Sequence, residues 1–442
     1  MRVCKIITFF FFFFVLQPYF AKPKSLPEET IEFFQKFKKK GIFTKLTAGV
    51  VTPTKVLWSY FDNTAQDELF RVASVTKMFT AMAVMRAIEE GKLDLSWQLD
   101  ELYPDLNLEP PELYGNRITI RDLLSHRSGI PDLRFYKKPE WIEYPAFPFR
   151  IPRPIYPTKV HYRYANQNFR ILGKILEKVY HKPLKEIVTE KVMQPIGAKH
   201  FGFYDRYSGA FGLELSFQAL KAFAQTLLNE GENPFTGDVL VESDTLERML
   251  EPQHKNDAAP SALYCGLGWR VKTRDHQVVT FFHIGGANTV AAWIQVFPVS
   301  KTAVFYLANP PKYENGTMSF LSAMQKKLSD LALYFTEQPK NLHDFTPTVY
   351  DDKVEQALIG EYEEVRTKEI LKIFRKKDTL YFQEAEKKPV RMVKFGYRLF
   401  ANAISYDRYE FYYDGETVTN IASPYGFYER LPNEKISMSN NH

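Results

Sequence analysis

Cysteine is nearly missing from this 442-residue chain: there are two, Cys4 and Cys265. Cys4 lies in a leader-like segment. That leaves Cys265 by itself and excludes an internal disulfide or a cysteine-built metal site. Histidine is sparse too, nine in all, and none falls in a His-Glu-x-x-His or similar pairing, so neither a metal nor any other cofactor is expected. A strong excess of one charge is also lacking. The 58 basic and 52 acidic residues give a formal net charge of +6, too mild over so much surface to point to nucleic acid. Beyond the first 21 residues no apolar run approaches a membrane span. There is no internal repeat and, apart from one phenylalanine tract, no low-complexity stretch.

What is present is ordinary globular composition, 45% hydrophobic and 25% charged, in a chain long enough for two or three domains. Met1 to Ala21 reads as an export signal. Arg2 and Lys5 open it, Ile6 to Leu16 is apolar with six consecutive phenylalanines, and Phe20-Ala21 offers a cleavage point. Tyr19 is larger than the residue such sites favour three places before the cut, which leaves the cut unassigned and an uncleaved anchor as the alternative. An exported protein is expected: periplasmic, secreted or associated with the cell envelope.

Ser25 to Lys40 has the spacing of an amphipathic helix ended by Gly41, and strands follow at Leu46 to Val51 and Lys55 to Tyr60. Ala73 onward opens a helix stopped at Gly91, with Val75, Met78, Phe79, Met82, Ala83 and Ile88 on one face. Residues 137 to 160, rich in Pro, Tyr and Phe, read as a structured loop. Further helices are expected from Asn166 to Tyr180, Ser216 to Glu230 and Met318 to Tyr334. Strands are expected at Val278 to Phe282, Thr289 to Phe297 and Thr302 to Leu307. Strands gathered early and late, with helices between, imply an α/β (α+β) domain. Its antiparallel sheet would draw strands from both ends of residues 22–340, around a helical insertion. Asn341 to Val349 reads as a linker. Residues 350–442, with short alternating strands from Ile359 to Leu431, read as an all-β barrel or meander.

Ser74 and Lys77 are three residues apart at a helix start, so both side chains leave one face of its first turn. A serine hydroxyl becomes a nucleophile when a neighbour takes its proton, and a lysine is one such neighbour. Ser-x-x-Lys occurs once in the chain, yet a serine there is more often a plain cap. Tyr164-x-Asn166 supplies a tyrosine at a helix entry, although Tyr114-Gly115-Asn116 and Tyr313-Glu314-Asn315 share the pattern in Pro/Gly-rich loops. His283-Ile284-Gly285-Gly286 closes a strand, where glycines let a substrate approach the backbone. Ser125-His126-Arg127-Ser128-Gly129 reads as a helix-ending turn with a structural histidine.

Taken in order, Phe70 to Lys77, Glu90 to Leu95, Ile118 to Gly129, Tyr164-Ala165-Asn166, Gly266-Leu267-Gly268-Trp269 and His283-x-Gly285-Gly286 resemble the serine β-lactamase and penicillin-binding-protein-like superfamily. The likeness is to its class C-like branch and covers residues 40 to 335. It implies Ser74 as nucleophile, Lys77 as its activating partner, Tyr164 as base and acid, and Asn166 as a donor to the substrate acyl group. It places His283 where the family has a lysine, and the amides of Ser74 and Gly286 as an oxyanion hole beside Gly285. It also implies a small-molecule or peptide substrate, such as a cell-wall fragment. Three departures stand out: His283 for lysine, Ile284 for a hydroxyl residue, and Phe211 for glycine. The first two alter the grip on a substrate carboxylate and favour a peptidase, amidase or esterase over a β-lactamase. A non-catalytic module that binds a cell-wall peptide or partner is the reading from another class.

Overall fold

A computed structural model of the chain describes residues 25–104, 106, 117–132, 141–142, 147, 151–152, 154, 158–159, 162–255, 263–274, 277–287, 289–310, 315–336, 358–364, 368–376, 379–385, 387–394, 399–402, 408–414, 417–422 and 427–432. The expected export signal, the expected linker at 341–349, Tyr114, Tyr313 and most of the aromatic loop lie outside the described residues.

The helix Leu26–Lys39 starts in a reciprocal cap, with Ser25 and Glu28 satisfying each other's exposed donors. The chain then forms β1 (Lys45–Val51) and β2 (Val56–Asp62). β1 pairs antiparallel with β13 (Thr302–Asn309), from Lys45↔Asn309 to Val51↔Ala303, so the early hairpin is stitched to the late strands. The sheet runs β2-β1-β13-β12-β11-β10-β9-β8. Here β8 is His254–Lys255, β9 Leu263–Cys265, β10 Arg270–Arg274, β11 Gln277–Ala287 and β12 Val290–Phe297. Every residue of β12 is buried, because both faces of the sheet are covered. Phe34, Met324 and Leu328 of the two terminal helices meet Trp293 and Tyr306 on one face. Phe217 and Leu220 of the helix Phe217–Leu228 join Ile294 and Phe305 on the other. The expected helices and strands are found with ends shifted by a few residues, the last helix as Asn315–Thr336.

Two expectations are corrected around Ser74. The helix that follows it, Thr76–Glu89, is not amphipathic: Thr76 through Met85 and Ala87 are all buried. It packs against the insertion helices Asn166–Tyr180 and Leu184–Val188 and, near Ser74, against the strand Phe211–Leu215, so that only its last turn is partly exposed. Nor is Ser74 the cap. It sits in a tight turn, Ala73–Val75, before the helix begins, and no side chain caps the helix. Gly91, at φ +69°, ends the helix as expected.

Not expected from the sequence are β3 (Phe70–Arg71), β6 (Phe201–Ser208) and β7 (Phe211–Leu215), which form a separate sheet in the order β3-β7-β6. Also unanticipated is the short pair β4 (Trp141–Ile142) and β5 (Ile151–Pro152) within the aromatic loop. The late residues form a closed antiparallel barrel of eight strands, β14 (Gly360–Glu364) to β21 (Phe427–Arg430), in sequence order. Tyr362, Leu371, Ile373 and Phe382 are part of the side-chain core that fills it.

Candidate active site

The turn that carries Ser74 is pinned from β7. Val72 donates to the Leu213 carbonyl at 3.1 Å, and Leu213 donates to the Thr76 hydroxyl at 3.2 Å. Between these anchors Ala73 is held at φ +44°, a left-handed conformation that a residue with a Cβ adopts at a cost. One turn on, Lys77 is fully buried. Its Nζ donates to Ser74 Oγ at 3.1 Å, to Asn166 Oδ1 at 2.7 Å and to the Ala210 carbonyl at 2.8 Å. A buried ammonium requires such partners, and the three acceptors come from three different parts of the chain.

Asn166 and Tyr164 arrive together at the start of the Asn166–Tyr180 helix. Asn166 is fixed on both sides of its amide, since Nδ2 donates to Asp132 Oδ2 at 3.2 Å while Oδ1 accepts from Lys77. One amide proton remains for a further acceptor. The Tyr164 ring lies beside the lysine, its centroid 5.0 Å from Nζ. Ser74, Lys77 and Asn166 are thus joined by hydrogen bonds, with Tyr164 packed against the group.

The third segment approaches from the sheet. Any Cβ on Gly285 would fall 2.1 Å from the Val72 carbonyl oxygen, so only glycine allows β11 this close to the Ser74 turn. The β10 ladder starts at Arg270↔Phe282. Within the described residues, His283 to Ala287 therefore pair only with β12, and Gly286 is exposed beside the turn. His283 is 5% exposed and hydrogen-bonded through Nδ1 to the Ile284 carbonyl at 2.9 Å. Its ring centroid is 6.4 Å from that of Tyr164.

Burial, followed by the positive charges of Lys77 and Arg270, pushes the His283 pKa down to about 3. His283 is therefore a neutral ring near pH 7 and cannot grip a carboxylate by charge. The same shift has a consequence for stability. Between about pH 3 and 6.5 the unfolded chain binds a proton here that the folded chain does not, so stability falls as pH drops through that window. Denaturant titrations at pH 7 and pH 5 should show this, with a slope of up to about 1.4 kcal/mol per pH unit from this one group. His283→Gln should make the slope shallower, with His126, whose pKa is also held down, keeping its own share; an unaltered slope contradicts the burial argument.

Three residues at the site had no functional reading in the sequence. His126 stands in a motif whose spacing marks only a helix-ending turn, yet its ring centroid lies 4.5 Å from that of Tyr164. Asp132 and Arg270 gave no signal, because a carboxylate that orients an amide and a cation that follows a tryptophan have no characteristic spacing. Arg270 hydrogen-bonds Tyr162, and its charge reaches both His126 and His283. Among the described residues no group of three or more His, Cys, Asp or Glu side chains is placed to hold a metal ion, and no helix is long and apolar enough to cross a membrane.

Comparison with known proteins gives a consistent result. A family model described as Beta-lactamase matches residues 46–317. Protein flp of Staphylococcus aureus (strain MW2) is 24% identical over 276 residues, which cover 54% of this chain and 52% of that protein. The chain thus spans about half the length of such curated relatives. N-acetylmuramyl-L-alanine amidase of Bacillus subtilis (strain 168) is 31% identical over 147 residues, covering 30% of this chain and 32% of that one. Among solved structures, the octameric penicillin-binding protein homologue from Pyrococcus abyssi aligns over 91% of this chain and 99% of its own. Its TM-score is 0.59 at 17% identity, a likeness of fold.

Proposed function

This chain belongs to the Beta-lactamase family, and on that premise we propose that it is an exported serine hydrolase acting on ester or amide substrates, among them peptides of D-amino acids. The observation that carries the reading is the buried Lys77 amine 3.1 Å from the hydroxyl of Ser74. Ser74 Oγ attacks the substrate carbonyl carbon while its proton passes to the Lys77–Tyr164 pair. The negative charge on the former carbonyl oxygen is met by the backbone N–H groups of Ser74 and Gly286. The bond to the leaving alcohol or amine then breaks, Tyr164 returns the proton to that group, and an acyl ester remains on Ser74. Water attacks the ester, gives its proton to the same pair, and releases the acid with the hydroxyl restored. Asn166 holds the acyl side of the substrate through its remaining amide proton. Export rests on the Met1-to-Ala21 leader, and residues 350–442 are an accessory domain in this reading.

The neutral His283 weighs against a dedicated β-lactamase, whose substrate carries a carboxylate that a cation in that position would hold. A panel of p-nitrophenyl esters, D-amino-acid amides and a chromogenic cephalosporin separates these outcomes. Turnover of the esters or amides well above that of the cephalosporin is expected. Tight binding without turnover of any of them, by a protein shown to be folded, would identify a binding module instead.

A further inference from the structure

His126 has no part in the reaction above, yet it is among the most constrained side chains at the site. It is 5% exposed and held at φ +58° at the end of the short helix Ile120–Leu124. Its carbonyl accepts the Arg163 N–H at 2.7 Å, and its ring Nδ1 accepts the Ala165 N–H at 3.2 Å. One residue therefore holds the backbone on both sides of Tyr164 and packs its ring against the ring between them. The helix that begins at Asn166 has no side-chain cap from Ala165, so the imidazole satisfies a donor at that helix entry from across the fold. The imidazole is itself oriented. Asn168 Nδ2 lies 3.2 Å from Nδ1, and the Ser128 hydroxyl donates to Asn168 Oδ1 at 2.7 Å, which turns the amide N–H group toward the ring.

We propose that His126 is a positioning residue for Tyr164, clamping residues 163 to 165 so that the tyrosine ring stays beside Lys77. This rests on the serine-hydrolase reading. The clamp requires a neutral ring, because Nδ1 can accept only without a proton. The surroundings maintain that state: burial, followed by the charges of Lys77 and Arg270, holds the His126 pKa well below the usual imidazole value, while Tyr162 and Phe169 cover the ring.

Two polar replacements in the full-length protein separate positioning from mere filling of space. In His126→Asn the side-chain oxygen occupies the place of Nδ1 and keeps the acceptor. In His126→Gln the amide lies farther out and the acceptor is lost. His126→Gln should lower kcat by about 10- to 100-fold with KM nearly constant, and should displace the alkaline limb of the kcat–pH profile. His126→Asn should recover most of both. Hydrogen exchange at the Ala165 amide should quicken in the Gln variant and stay slow in the Asn variant. An active wild type whose Gln variant keeps its kcat and pH profile, or whose two variants are equally impaired, overturns the positioning role alone. A wild type that hydrolyses no ester or amide overturns the hydrolase reading and this role with it.

Discussion

Ser74→Ala is expected to reduce ester and amide turnover by about 10⁴-fold or more while leaving the fold intact. The reason is local. In this reading the hydroxyl is the atom that forms the acyl bond, so its loss removes the covalent route rather than weakening it. The structural cost is small, since Lys77 keeps Asn166 Oδ1 and the Ala210 carbonyl as acceptors. One lost hydrogen bond costs about 1 kcal/mol. Steady-state rates beside a thermal melt check this; a variant that melts like wild type and retains more than a tenth of its turnover contradicts it.

Lys77→Met separates stability from activity more sharply. Methionine fills nearly the same space without charge or donors. Activity should fall by about 10²- to 10⁴-fold, the usual contribution of a group positioned for proton transfer. Stability responds to two opposed effects. The Asn166 and Ala210 oxygens lose their donor, at about 1–3 kcal/mol for each buried group left unsatisfied. Against this, an ammonium that is fully buried no longer has to be desolvated, an exchange that often leaves a protein as stable or more so. The melting temperature should therefore move by only a few degrees while the rate collapses. A variant that unfolds but, when refolded with ligand, keeps its rate would show that Lys77 is structural.

Much of this was legible in the residues because it depends on local pattern. Period-3.6 and period-2 spacing located the terminal helices, the β1–β2 hairpin and the strands β11 to β13, and Ser74, Lys77, Tyr164 and Asn166 stand in recognisable short motifs. What was not legible depends on distant parts of the chain meeting. The Thr76–Glu89 helix has polar residues, Thr76 and Lys77 among them, on sides that a sequence assigns to water. They are buried because other elements supply acceptors such as Gly209 O for Thr80 and Ala210 O for Lys77. The strand β3, two residues long, carries no period at all. Asp132 orients Asn166 from 34 positions away, a separation that no spacing rule reports. His126 sat in a visible motif, but only the fold shows its ring taking the Ala165 N–H.

The claim on which all of this depends is that the Ser74 hydroxyl is a nucleophile. Intact-mass measurement after exposure to a fluorophosphonate, followed by peptide mapping, tests it most directly. The account predicts a single adduct on the peptide containing Ser74, lost in Ser74→Ala and slowed in Lys77→Met. Folded wild-type protein that gains no mass, or an adduct that maps to another residue, contradicts it.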